Sequence, residues 1–254
     1  MKKAKAIAFN IYGSYAHFKT WYMTTSRTTY PLPPRTAVAG IVGAIMSVEK
    51  EDLPSRYAPG NGILFGVRSL KPIGTRMLVV KGLRGPAVLK VLGSKGNKRI
   101  EIDWTSDITP PRIPMEVIDK PEYRIYVHFP EVTDLDKLTE RVRGSCPCYR
   151  PYLGTVNMVA YLLDTVPEFE IKSDGEGTGK LGGLIPKENA ILDVHTLRKK
   201  KIRLTEVVAQ KAVTNDFAFY HGEFLMDMGA VGIPGQLIKG TPHIIDDGLS
   251  IPLI

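Results

Sequence analysis

Tyr30-Pro31-Leu32-Pro33-Pro34-Arg35-Thr36-Ala37-Val38-Ala39-Gly40-Ile41-Val42-Gly43-Ala44-Ile45 is the stretch whose reading sets the fold. The prolines end an extended segment, and Thr36 stands as an N-cap for a helix. Val38, Ile41, Val42 and Ile45 recur on one face of it, so the helix buries that face. Gly40 and Gly43 each cost up to about 1 kcal/mol relative to alanine inside a helix. Close packing against a sheet is the expected reason for both.

Working outward, residues 4–12 alternate apolar and polar side chains imperfectly and read as a first strand, which Gly13 and Ser14 end. Residues 15–35 show no helical period and form an ordered loop. Residues 63–80 supply one or two strands around the turn Lys71-Pro72-Ile73-Gly74. Residues 81–121 are the least regular and suit a protruding arm. Tyr123–Phe129 is a strand by composition. A second helix follows, capped by Thr133, with Asp134 and Asp136 in its first turn and Arg141, Arg143 and Gly144 at its end. A last strand is expected at about 156–163. The order strand–helix–strand–strand–helix–strand is an α+β pattern that fits the split βαβ, ferredoxin-like plan. Two domains are expected: 1–163, with its arm at about 81–115, and a small β-rich or degenerate lobe at 164–254.

The net charge is +8 over 254 residues, but its placement says more. The first hundred residues hold seventeen Lys/Arg against three Asp/Glu, a balance of +14. The remaining 154 hold seventeen against twenty-three, a balance of −6. A one-sign surface repels itself, so a basic half points to a polyanion, and nucleic acid is the commonest. An acidic protein or a membrane is the alternative. No apolar run reaches the ~20 residues that span a bilayer. The basic start (Lys2, Lys3, Lys5) precedes a segment too short and mixed for a signal peptide, so a cytoplasmic location is expected. Only two glutamines occur, Gln210 and Gln236, which suits a thermophilic source. Cys146 and Cys148 cannot complete a four-ligand metal site and read as small buried or half-buried thiols in a turn.

Enzymatic motifs fail when tested. Gly175 to Lys180 resembles a phosphate loop, but Asp174 and Leu181 occupy the positions that a Walker loop needs as Gly and Ser/Thr. The five histidines are scattered without metal-ligand spacing, and neither a Gly-x-Ser-x-Gly elbow nor a catalytic carboxylate pair is present. What remains suits RNA. A helix entry offers unpaired N–H groups to an anion, with Arg35 and Thr36 at its mouth and Lys19 and Arg27 on the preceding loop. Phe18, Trp21, Tyr22 and Tyr30 are interleaved with those cations, as in single-strand binding; they could equally be core residues under a long loop.

Tyr15-Ala16-His17-Phe18, Thr24-Thr25-Ser26 and the run from Tyr30 to Ile45 together resemble the N-terminal signature of the fifth CRISPR-associated (Cas) protein family. Tyr149-Arg150-Pro151-Tyr152-Leu153-Gly154-Thr155 is similar to the Pro-x-Leu-Gly turn after that family's second helix. The resemblance covers about residues 4–160. It implies a RAMP-type, RRM-like ferredoxin-like domain in a type I Cascade surveillance complex, where the subunit caps the 5′ handle of the guide RNA. It further implies packing against the Cascade backbone and large subunits. It places a thumb over residues 81–115, with Lys95, Lys98, Arg99 and Trp104 as its contacts. Lys81, Arg84 and Arg112, on or beside the arm, and Arg150, in the second string, complete the RNA-binding candidates. No cofactor, metal, membrane or small-molecule substrate is implied. One branch of the family cuts precursor RNA with a Tyr and a Lys-His pair; here no lysine precedes a histidine. A non-catalytic role is therefore expected, with metal-independent endoribonuclease as the alternative and His17 as its first suspect.

Overall fold

The computed structural model describes residues 4–22, 27–81, 89–92, 99–102, 112–163, 166–173, 179–213 and 218–254. The first strand, β1 (Lys5–Tyr12), is followed by the two-residue β2 (Tyr15–Ala16), the helix α1 (Arg35–Met46) and a single turn, α2 (Leu53–Arg56). Next come β3 (Leu64–Ser69), β4 (Thr75–Lys81), β5 (Leu89–Leu92), β6 (Arg99–Ile102) and β7 (Arg112–Asp119). Then follow β8 (Glu122–His128), α3 (Val132–Arg143), β9 (Tyr161–Leu163) and β10 (Glu168–Glu170). The C-terminal part holds β11 (Lys180–Leu181), β12 (Leu184–Pro186), β13 (Ala190–Leu192) and the seven-residue α4 (Val194–Lys200). It ends with β14 (Leu204–Val213), β15 (Phe219–Asp227), β16 (Ile233–Leu237), β17 (His243–Asp246) and β18 (Leu249–Pro252). The fold is mixed α/β, with several sheets and few helices among the described residues.

The central sheet runs β10–β1–β8–β3, all antiparallel, and β9 also pairs with β1. Side chains of a strand alternate between faces. Ile7, Phe9 and Ile11 of β1, with Tyr123, Ile125 and Val127 of β8, therefore share one core with Val38, Ile41, Val42 and Ile45 of α1 and Leu138 and Val142 of α3. Ala6, Ala8 and Tyr126 face the other way and pack with Ile244, Leu249, Ile251 and Leu253. A sheet buried on both faces loses clean alternation, which is why β1 reads imperfectly in the sequence.

Three expectations change in detail. The strand after the Lys71–Gly74 turn, β4, leaves the central sheet and pairs with β7, which also pairs with β2. The strand expected at 156–163 starts at Tyr161 and resumes as β10; between the two, the Ala8 N–H still bonds to the Pro167 carbonyl (2.9 Å). Cys146 and Cys148 are exposed rather than buried, because they lie on the outer side of the turn that follows α3. Lys81, β5 and β6 are described by their backbone, the latter two as an antiparallel pair. Arg84, Lys95, Lys98 and Trp104 lie outside the described residues, as does most of the glycine loop at 174–178.

The two helical glycines differ. A Cβ on Gly43 would stand 2.4 Å from Leu53 Cδ2, so that glycine admits α2 rather than a sheet. A Cβ on Gly40 would meet nothing within 4 Å. Gly40→Ala is therefore expected to raise stability by up to about 1 kcal/mol in urea denaturation. Gly154 is of another kind: its φ is +89° and a Cβ there would lie 2.0 Å from the His17 carbonyl oxygen. The Leu-Gly turn thus clamps the loop that carries His17 and Phe18.

Candidate nucleic-acid interface

An open groove of about 700 Å³ runs along the exposed side of α1. Its floor is Ala37, Gly40 and Ala44, small residues three and four apart along the helix that leave a shallow trough over the buried Ile41. One wall is the loop Phe18–Trp21, held to the strand opposite by Tyr30 N–H to the Phe18 carbonyl (2.8 Å) and by the Thr20–Thr28 hydroxyl pair (2.6 Å). The far wall is the distal end of the β14–β15 hairpin, with Gln210, Val213, Phe219 and His221. Lys50, Leu53, Pro54 and Tyr152 close the ends. Among the described residues no carboxylate lines the groove, and Lys19 and Lys50 stand on it.

Aromatic rings stay in solvent here. Trp21 is 52 % exposed and Phe219 49 %, with Tyr22, Tyr152 and Tyr220 similarly open. Trp21 lies 4.6 Å from His221, centroid to centroid, and meets Tyr22 edge-on at 5.8 Å. Exposed rings beside cations can take flat, unpaired bases on their faces and phosphates on the lysines.

The residues singled out from sequence separate into groups. Lys19 lines the groove and is exposed. Arg27, Arg112 and Arg150 are exposed but lie outside the groove lining. Arg27 bridges to Met115 of β7, near the arm. Tyr30 is buried, and its hydroxyl donates to the Val208 carbonyl (2.7 Å). Burial also raises its pKa.

Arg35 is only 4 % exposed, though it touches the groove wall. Its Nε donates to the Ile254 carbonyl (3.1 Å), and its terminal nitrogens to those of Tyr57 (2.9 Å) and Ile63 (3.5 Å). The guanidinium sits 5.2 Å from the Phe65 ring centre, and burial lowers its pKa to about 10. Arg35 is thus turned inward, against the expectation that it meets phosphates. Thr36 is not the N-cap; Pro34 is, and Thr36 Oγ1 donates to Gln210 Oε1 (2.9 Å), joining α1 to the hairpin. Likewise α3 begins at Val132 with Glu131 as its cap, two residues before the expected Thr133. His17 is 2 % exposed, with Nδ1–H donating to the Glu116 carbonyl (2.8 Å). Burial holds its imidazole below the usual pKa, and the charges of Arg27 and Lys19 act in the same direction.

Sequence reasoning did not find Gln210, Phe219, His221, Lys50 or Tyr152 as groove residues. The run Phe219-Tyr220-His221 beside a polar turn carried the missed signal, since three aromatic rings in a row at a hairpin end cannot all be core.

Residues 6–87 match the family model described as CRISPR-associated protein (Cas_Cas5), a stretch that contains β1, the aromatic loop and α1. The match covers about a third of the chain. No curated protein matches the sequence. Among solved structures, this chain is similar to one titled "CRISPR RNA-guided surveillance complex" at 14 % identity, covering 92 % of this chain and 90 % of that one, with a TM-score of 0.49. It is also similar to a "CRISPR-associated Protein" at 11 % identity, covering 92 % and 94 %, with a TM-score of 0.46. A functionally uncharacterized protein from Streptococcus mutans is similar at 15 % identity, covering 94 % of each chain, with a TM-score of 0.42.

Proposed function

We propose that this chain is a Cas5-family, non-catalytic, cytoplasmic RNA-binding subunit of a Cascade surveillance complex, and that its α1 groove holds unpaired nucleotides of the guide RNA 5′ handle. The observation that carries the reading is a groove walled by exposed aromatic rings and flanked by Lys19 and Lys50, with no carboxylate among its described lining residues. The strand order β10–β1–β8–β3, with α1 and α3 on one face, supports the ferredoxin-like plan expected of such a subunit. Lys19 and Lys50 neutralise phosphates, and Trp21, Phe219 and Tyr152 stack bases. Arg27, Arg112 and the residues of the 81–115 arm are assigned to the RNA that leaves the groove. The Cascade backbone and large subunits are the proposed protein partners, and neither a cofactor nor a small-molecule substrate enters the role.

The alternative, a metal-independent ribonuclease, rested on His17. A base must reach the 2′-hydroxyl it activates, and the buried placement of His17 gives that role no support. The test is binding of the purified chain to labelled repeat-derived RNA in EDTA across a salt series, with the products run on a denaturing gel. The expected result is salt-sensitive binding of RNA that stays intact. Cleavage that His17→Ala abolishes would replace the scaffold reading with the ribonuclease.

A further inference from the structure

Arg198, Lys199, Lys200, Lys201 and Arg203 place five cations within six residues, at the C-terminal end of α4 and the entry to β14. All five are exposed, and none forms an ion pair among the described residues. The carboxylates at the α4 cap, on β14 and at the β15 position paired with Leu204 are engaged elsewhere. Asp193 accepts from the N–H and hydroxyl of Thr196, Glu206 pairs with Lys187, and Asp227 accepts from the N–H groups of Gly229 and Gly232.

A helix dipole accounts for one or two cations in a last turn, each worth about 0.3–1 kcal/mol. It does not account for five neighbours that repel one another. The cap itself strengthens the case, since Lys201 adopts φ 50°, a left-handed conformation that glycine or asparagine ordinarily fills. A lysine held there costs roughly 1 kcal/mol and keeps a charge in the cluster.

The cluster is a different surface from the groove. Gln210 of β14 lines the groove, and seven residues of strand at about 3.3 Å each put Arg203 roughly 20 Å away, toward the other end of the hairpin. Its chemistry differs as well. The groove has exposed rings; the segment 188–204 has no Phe, Tyr or Trp. Cations without stacking faces suit a partner whose bases are already stacked and whose phosphates alone face outward.

We propose that Arg198, Lys199, Lys200, Lys201 and Arg203 form a second nucleic-acid surface, which binds the phosphate backbone of a duplex without regard to sequence. This surface does not depend on the groove's role. The test uses the full chain and a labelled duplex of about 30 base pairs with unrelated sequence, in DNA and RNA versions, over a salt series. The variant Arg198→Gln/Lys199→Gln/Lys200→Gln leaves the capping Lys201 in place, and thermal melting confirms its fold. The expected result is at least a tenfold loss of duplex affinity and a salt slope shallower by about 2–3, near 0.9 per lost phosphate contact. Its affinity for single-stranded repeat RNA stays within about twofold, whereas Trp21→Ala produces the reverse pattern. Comparable DNA and RNA affinity assigns the surface to backbone charge, and a tenfold preference names the duplex it takes. Wild-type slope and affinity in the triple variant, no duplex binding by the wild type, or binding to phosphatidylserine vesicles in its place would each overturn the proposal.

Discussion

Asp246→Ala is expected to lower the stability of the fold by about 3–5 kcal/mol, because it leaves the buried Arg68 and Tyr126 and the half-buried Arg124 without their common acceptor. Asp246 closes the β17–β18 hairpin onto the back of the central sheet. Its carboxylate accepts from Arg68 (2.9 Å), from the Tyr126 hydroxyl (2.5 Å) and from Arg124 (2.9 Å). Arg68 also donates to the Tyr126 hydroxyl (2.8 Å), and Arg124 Nε to Asn10 (2.8 Å), so β1, β3 and β8 all meet the hairpin through this one group. Burial by itself would raise the Asp246 pKa, but the hydrogen bonds from Tyr126 and Arg124 and the charges of Arg68 and Arg124 prevail and lower it below 3.8. A carboxylate whose folded pKa is depressed contributes stability above its unfolded pKa and loses it as pH falls through the folded value. Chemical denaturation of the wild type and of Asp246→Asn should therefore differ by a constant amount from pH 5 to 8. The difference should shrink below about pH 4. A difference that persists unchanged to pH 2 would remove Asp246 from this role.

Arg35→Ala should cost about 3–5 kcal/mol as well, by a different route. The side chain satisfies the carbonyls of Ile254, Tyr57 and Ile63, three segments far apart in sequence, and covers the face of Phe65. Removing it strands those acceptors in the interior. Arg35→Lys should recover little, since one ammonium group cannot span three carbonyls set for a planar fork. Equilibrium unfolding in urea measures both. The instructive control is RNA affinity per folded molecule, which should stay within about threefold of wild type if Arg35 supports the loop and not the phosphates. A loss of affinity without a loss of stability would restore Arg35 to the interface.

Arg35 also shows why the site was only partly legible in the sequence. A Pro-Pro-Arg-Thr entry to a helix reads as a mouth for an anion, because the helix end is all that local sequence can see. What turned the guanidinium inward were acceptors 22 to 219 residues away. The same holds for Thr36, whose partner Gln210 lies 174 residues on. Local signals did better where the physics is local: β1, α1, β8 and α3 lie where residue pattern and turn chemistry placed them. The excursion β4–β7 was not readable, since pairing across 30 to 40 residues depends on register and not on composition. Charge summed over halves located the basic N-terminal region but averaged away Arg198–Arg203, a dense basic run inside an acidic half. Trp21 was named among the interleaved aromatics, and the fold leaves it half in solvent beside His221, a neighbour 200 residues distant that no window contains.

The central claim, that the α1 groove stacks unpaired guide-RNA bases, is tested most directly by comparing the affinity of wild type and Trp21→Ala for repeat-derived single-stranded RNA. Trp21 is exposed and its removal leaves the core intact, so the melting temperature should not move. Loss of one stacked base is worth about 1–3 kcal/mol, or roughly 5- to 150-fold in affinity, with the salt slope unchanged because no phosphate contact is lost. Equal affinity in the two proteins would contradict the account and move RNA recognition off this groove.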